Sequence, residues 1–386
     1  MTATSIERRV PRLTDESEIV SWVHFGDLHM TTRQQNYRDL LSLIEEVNRV
    51  MGDSLNFAYL PGDNADHGRI DEYKLVRQGL DQLNLPWFAI VGDHDVHPQS
   101  HDNFKRFMMP EAFYRFDVGP YSFLALDAFA SNDPKTFGIS EEQLHWLEQE
   151  LEAIAAAQKR SVMFLHCYPT ELGKSSCPLR YLLKKYSVRL VDMGHTHYNE
   201  IANDGHTLYS ATRSTRQIDE GPVGFSITNL DQDVVSWRFK RLVEWPFAMI
   251  TSPGDERLLT NTEATSRSVA KKMAVRVKAW SDRKLLRGYA DIGEQRVDLK
   301  QIAQTAVWQA NVDIDQLPDG INLLTAHFED QDGKAAHDTI RLINPSSGQW
   351  KQASRSPVDN ENTIGAWPEH GILGTQLGPN KNGRKW

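Results

Sequence analysis

The chain has 386 residues, 40% of them hydrophobic and 25% charged, with a net charge of −9. That length favours two folded units over one, and the composition is that of a soluble globular protein. No apolar run approaches the ~20 residues needed to cross a bilayer, and the negative balance argues against a protein built to grip a nucleic-acid backbone.

The N-terminal stretch, residues 1–17, is polar and mixed in charge and has no apolar segment of the kind a secretory signal carries. The only two cysteines, Cys167 and Cys177, form no disulfide framework. A cytoplasmic, reducing location is therefore expected.

From about residue 18 to 244, short apolar runs alternate with amphipathic stretches. Strands are expected at 19–25, 56–60, 87–91, 121–127, 162–166, 188–193, 207–211, 224–229 and 234–240. Thr32 with Gln35, and Ser140 with Gln143, have the spacing of helix capping boxes. Apolar residues then recur at helical spacing, from Leu40 to Val50 and from Leu144 to Ile154. Alternation of this kind predicts a layered α/β unit. In such units the chemistry collects in loops beyond the carboxyl ends of the strands.

The pattern changes over residues 245–344. Met273, Val275, Val277 and Ala279 alternate with Arg276 and Lys278, predicting a strand with one solvated face. Two further strands, 322–329 and 337–343, flank Asp330-Gln331-Asp332-Gly333, a strong turn signal. A small all-β sandwich is expected here. The last stretch, 345–386, is rich in Gly, Pro and Asn yet keeps Trp367, Ile372, Leu373, Leu377 and Trp386. It reads as an extended tail that docks on another surface. Both the sandwich and the tail are candidate surfaces for self-association.

Five polar clusters each follow an expected strand: Asp27-Leu28-His29, Gly62-Asp63-Asn64-Ala65-Asp66, Gly92-Asp93-His94-Asp95, His166, and Gly194-His195-Thr196-His197. Carboxylate oxygens mixed with imidazole nitrogens suit Mn, Fe, Zn, Co or Ni better than Mg or Ca alone. Glycines at 26, 62, 92 and 194 permit turns that bring backbone close to an ion. A single Asp-x-His carries little weight, since Asp95-Val96-His97 repeats it by chance. Five clusters in order, each at a strand end, carry much more.

In order and spacing these clusters resemble the calcineurin-like metallophosphoesterases, over about residues 20–241. The resemblance implies a four-layer α/β/β/α sandwich around a dinuclear centre, with manganese or iron favoured. It implies that Asp27, His29 and His197 bind one metal, that Asp93, His166 and His195 bind the other, and that Asp63 bridges them. His94 would lie beside the scissile group, and Asp66 would support the ligands from behind. Asn64 and His67 are candidate substrate contacts. His97, His101, Arg213 and Arg216 are more simply read as surface residues.

The implied function is metal-dependent hydrolysis of a small phosphorylated substrate by attack of a metal-bridging hydroxide. One departure bears on the substrate. The family usually has Gly-Asn-His where this chain has Gly92-Asp93-His94. A third ligand carboxylate, with a bridging hydroxide, would cancel the charge of two divalent ions. The options are a trivalent ion such as Fe(III), a bridging water that ionises at higher pH, or weaker affinity for doubly charged monoesters. The last favours phosphodiesters, such as cyclic nucleotides. A phosphomonoesterase or nucleotide pyrophosphatase is the alternative, and a non-catalytic metal-binding scaffold is the alternative of another class.

Overall fold

The structure is a computed structural model, which describes residues 18–215, 221–260, 272–314, 317–344 and 362–374. The sequence readings that fall on residues 1–17, Arg216, Leu377 and Trp386 lie outside these.

In chain order the first strands are β1 (Val20–His24), β2 (Phe57–Leu60), β3 (Trp87–Ala89), β4 (Tyr114–Val118), β5 (Tyr121–Ala125), β6 (Arg160–Phe164), β7 (Leu190–Met193), β8 (Glu200–Asn203), β9 (Leu208–Ala211), β10 (Gly224–Asp231) and β11 (Val234–Arg241). The helices are α1 (Gln34–Glu46), α2 (Ile70–Leu80), α3 (Asp102–Phe107), α4 (Glu141–Ala156) and α5 (Ser176–Lys185). All nine expected strands are present, and β4 and β8 are additional.

These strands form two mixed sheets, β11-β10-β1-β2-β3 and β4-β5-β6-β7-β9-β8. Within them β1, β2 and β3 run parallel, as do β5, β6, β7 and β9. The sheets face each other across an aromatic core. Trp22 of β1 meets Phe123 and Phe164 edge-on, and Tyr59 of β2 stacks on Phe164 at 3.8 Å. Helices cover the outer faces, giving the expected four-layer α/β/β/α sandwich.

Helix starts were only partly legible. Ser140 caps α4, accepting from the Gln143 amide at 3.1 Å. Gln143 does not return the bond; its side chain instead clamps both main-chain groups of Asp127. Thr32 caps nothing. Helix α1 starts at Gln34, and it is Asn36 that bonds the carbonyls of Leu28 and His29.

Eight more strands follow: β12 (Phe247–Ser252), β13 (Lys272–Trp280), β14 (Leu285–Ile292), β15 (Gln295–Asp298), β16 (Lys300–Gln301), β17 (Val307–Asp313), β18 (Gly320–Asp330) and β19 (Ala335–Asn344). They make two antiparallel sheets, β12-β13-β17-β16 and β15-β14-β18-β19, packed around a shared apolar core. The 330–333 turn forms as expected, with Asp330 Oδ1 accepting from the amides of Asp332 and Lys334.

The outward face of β13 is not solvated. Lys278 is fully buried, with Nζ donating to Ser21 Oγ (2.8 Å) and the Ser54 carbonyl (2.7 Å). Arg276 pairs with Asp231, and Trp280 Nε1 donates to Ser54 Oγ at 2.6 Å. The alternation of β13 was right, but its polar side is an interface with the first sheet. A buried lysine is tolerated there because two oxygens satisfy it. Within residues 362–374, Trp367 and Ile372 are also buried, so this part of the tail packs on its own chain.

Candidate metal centre

All five clusters sit where parallel strands end. Asp27 and His29 follow β1, Asp63 follows β2, Asp93 and His94 follow β3, His166 follows β6, and His195 and His197 follow β7. Facing sheets thus deliver their carboxyl-end loops to one place. The loops are sewn together: the His29 amide donates to the Asp63 carbonyl (2.8 Å), the Gly194 amide to the His166 carbonyl (3.1 Å) and the Thr215 amide to the Asp27 carbonyl (3.0 Å).

Close approach explains the glycines. A Cβ on Gly92 would collide with the amide and carboxylate of Asp63, and one on Gly194 would collide with the Asp27 carboxylate. The backbone is also held in an uncommon form. His29, Asp63, His195 and His197 all have positive φ, between 43° and 63°. For residues with a Cβ this costs of order 1–3 kcal/mol each and persists only where the surroundings impose it.

Two sets of donors result. Asp27, His29, Asp63 and His197 offer atoms all within 4.8 Å of one another, and so do Asp93, His166 and His195. In the first, His197 Nε2 lies 3.3 Å from Asp27 Oδ2 and 2.8 Å from His29 Nε2. In the second, Asp93 Oδ1 lies 3.1 Å from His166 Nε2 and 3.2 Å from His195 Nδ1. Asp63 stands between them, with Oδ2 3.5 Å from His29 Nε2 and Oδ1 3.6 Å from His166 Nε2.

His166 Nδ1 must donate to the Pro61 carbonyl, 2.7 Å away, because a carbonyl only accepts. With Nδ1 so committed, Nε2 is the ring nitrogen that faces the cluster.

Buried together, these groups shift one another's ionisation strongly. Burial pushes the Asp27 carboxyl up to about 6, against the pull of His166. Burial would depress His166, but the charge of Asp63 and the bond to Asp93 raise it to about 10. His197 is pushed down to about 2, by burial and then by the neighbouring imidazoles of His29, His195 and His166. Asp93 is held well below the carboxylate range: burial opposes ionisation, and hydrogen bonds from His166 and His195 outweigh it.

A metal fits these residues on two observations. Asp27 Oδ1 is buried without a hydrogen-bond partner among the described residues. His29 and His197 aim Nε2 atoms at each other, which is favourable only with a proton or a cation between them.

His94 lies beside both sets. Its amide donates to Asp63 Oδ1 (2.9 Å), and its Nδ1 donates to the Asp66 carbonyl (2.7 Å). The Asp66 side chain lies 3.4 Å from His29 Nδ1, and this contact holds its carboxyl below the usual range. His67, at the rim, reaches Asp66 Oδ2 (3.1 Å) and Glu72 Oε1 (3.2 Å).

Asn64 is fully buried, and its amide nitrogen bonds the Ile90 carbonyl and Asp95 Oδ2, so it braces the turn. Arg213 is not a surface residue. It is buried, with its guanidinium 4.1 Å above the Phe239 ring, and it donates to the Pro222 carbonyl. His101 lies 3.0 Å from Asp127 Oδ2 and 2.5 Å from Asn132 Oδ1, so it too has partners.

Sequence reasoning missed Asp95. Fully buried, it accepts from the amides of Asn64, Ala65 and Gly92, from Asn64 Nδ2 and from the Tyr73 hydroxyl. It joins the second cluster to the third. Glu171, 4.0 Å from His195 Nε2, was also missed.

Facing mixed sheets thus bring one cluster of carboxylates and imidazoles, able to hold metal ions, to the strand ends. Residues 21–199 match the model of the calcineurin-like phosphoesterase family. A probable glycerophosphodiester phosphodiesterase of Arcobacter nitrofigilis is 31% identical over 121 residues, which span 29% of this chain and 41% of that protein. A probable cyclic nucleotide phosphodiesterase of Synechococcus is 28% identical over 195 residues, 46% of this chain and 73% of that one. Among solved structures, a dimetal phosphatase from Danio rerio has the same fold, with a TM-score of 0.51 at 15% identity, covering 58% of this chain and 97% of that one. Among the described residues no helix is long and apolar enough to cross a membrane.

Proposed function

We propose that this chain is a dinuclear metal phosphoesterase that hydrolyses small phosphodiesters. In this reading Asp27, His29 and His197 hold one ion, Asp93, His166 and His195 hold the other, and Asp63 bridges them. The observation that carries it is the division of the Asp63 carboxylate, one oxygen toward His29 and the other toward His166. Mixed oxygen and nitrogen donors suit transition-metal ions, of which the family resemblance favours manganese or iron. When bound, two such ions supply an activated water and neutralise charge developing on the phosphoryl oxygens.

The protein's own residues do the rest. With Nδ1 committed to the Asp66 carbonyl, His94 keeps Nε2 for the substrate. Burial would lower its pKa, but the charges of Asp63 and Asp93 raise it overall. It is thereby suited to protonate a leaving alkoxide. Asp66 orients both His94 and His29. Asp93 adds a negative charge where the family has a neutral amide, and that favours a singly charged diester over a doubly charged monoester. The names of the Arcobacter and Synechococcus relatives agree with diester cleavage. A non-catalytic scaffold would have no use for His94 in this position.

The test is hydrolysis of bis-(p-nitrophenyl) phosphate against p-nitrophenyl phosphate with Mn²⁺, before and after chelation. Faster diester cleavage that chelation abolishes is expected. Faster monoester cleavage overturns the diester preference, and no turnover of either with metal bound favours the scaffold.

A further inference from the structure

Residues 362–374 lie far along the chain from the clusters, yet they are bonded to β8, the strand that follows the last of them. Thr363 bridges Ala202 of β8, and the Ile364 amide donates to the Ile201 carbonyl at 3.0 Å. Residues 367–372 close into a loop through paired main-chain bonds between Trp367 and Ile372. His370 pins this loop to both parts of the molecule. Its Nδ1 donates to the Trp237 carbonyl of β11 (2.9 Å), and its Nε2 donates to Asp338 Oδ1 of β19 (2.8 Å). Arg257 lies 3.4 Å over the Trp367 ring.

The loop's Gly371 carbonyl accepts from Asn199 Nδ2 at 3.0 Å, and Asn199 Oδ1 accepts from the Arg213 amide at 2.9 Å. The two residues after Arg213 are stitched to the cluster. The Ser214 amide donates to the His197 carbonyl (3.3 Å), and the Thr215 amide donates to the Asp27 carbonyl (3.0 Å). There is no slack in this strip, since a Cβ on Gly26 would strike the Arg213 carbonyl. Asn199 is itself buried.

We infer that Asn199 is a positioning residue that ties the docked tail, and through His370 the β-sandwich, to the placement of Asp27 and His197. This rests on the reading that those two residues hold an ion. One side-chain amide serves both ends: its oxygen fixes strip 213–215 and its NH₂ fixes the tail. Loss of either end lets the strip shift, and donor geometry tolerates only about 0.5 Å of error.

The experiment uses the full chain stripped of metal. Mn²⁺ binding is measured by calorimetry, amide exchange over residues 211–215 by mass spectrometry, and thermal unfolding alongside. Asn199→Ala is expected to weaken Mn²⁺ binding about 10-fold and to speed exchange over the strip. Asn199→Asp keeps the acceptor for Arg213 but cannot donate to Gly371, and should weaken Mn²⁺ by a smaller factor. His370→Gln, two contacts further out, should act in the same direction. Unchanged Mn²⁺ affinity and strip exchange in Asn199→Ala, even with a lower melting temperature, would make the residue merely structural and overturn the inference. Wild-type affinity in both Asn199→Asp and His370→Gln would overturn the tie to the tail. If the wild-type protein takes up no Mn²⁺, the phosphoesterase reading fails instead, and exchange over the strip alone decides the positioning role.

Discussion

His94 Nδ1 donates to the main-chain carbonyl of Asp66 at 2.7 Å, which commits one ring nitrogen to the scaffold and leaves the other for chemistry. His94→Ala should therefore keep its metal content while kcat for the diester falls by roughly 10²–10⁴-fold. Elemental analysis and steady-state kinetics on one preparation check both halves. Unchanged kcat would remove His94 from the reaction.

Asp93 Oδ1 touches His166 and His195 together. Asp93→Asn retains an oxygen donor and removes one negative charge. The ratio of kcat/KM for p-nitrophenyl phosphate to that for bis-(p-nitrophenyl) phosphate should rise, and the pH optimum or metal preference should move. A variant that shifts none of these leaves the charge argument without support.

Asp95 accepts five hydrogen bonds while fully buried. Asp95→Ala would strand several donors, and a loss of roughly 3–5 kcal/mol is expected. Chemical denaturation measures it. A cost below about 1 kcal/mol would show that the loops do not depend on this carboxylate.

Asp338 gives a pH dependence of definite sign. Burial would raise its pKa, but His370 and Arg238 outweigh that and bring it from 3.8 to about 2. A depressed folded value stabilises the protein above the unfolded pKa, and that stability is lost as pH falls from about 4 toward 2. The shift corresponds to about 2 kcal/mol. Asp338→Asn should be less stable than wild type by about this amount at pH 7, with the gap narrowing below pH 4. A gap that stays constant down to pH 3 would contradict the assignment.

The fold was legible wherever apolar period and strand-end polarity coincided. Every expected strand of the first unit formed, because each was a buried run bounded by a cluster or a turn. The missed strands lacked that signature. In β4, Arg115 and Asp117 pair with each other and with Glu150 and Lys159, so an edge strand carries the charges of a loop. In β8, Glu200 is buried in a strand of four residues, too short to show a period.

The proposed ligands stood out in the sequence because each is an Asp or His placed just after an apolar strand. What surrounds them did not. Nothing local marks Asp95 as different from any loop carboxylate, since its partners come from three separate segments. Lys278 looked solvated for a related reason. An alternating strand shows which residues share a face, and only packing shows what that face meets. Asn199 and Gly371 stand far apart in the chain, and no periodicity connects them.

The most direct test of the central claim is the metal count of wild-type protein purified without chelators, set beside that of His29→Ala and His166→Ala. Two transition-metal ions per wild-type chain are predicted, with each substitution lowering the count and ending diester hydrolysis. A wild-type chain that binds no such ion, or one that hydrolyses the diester at full rate after complete chelation, would contradict the account.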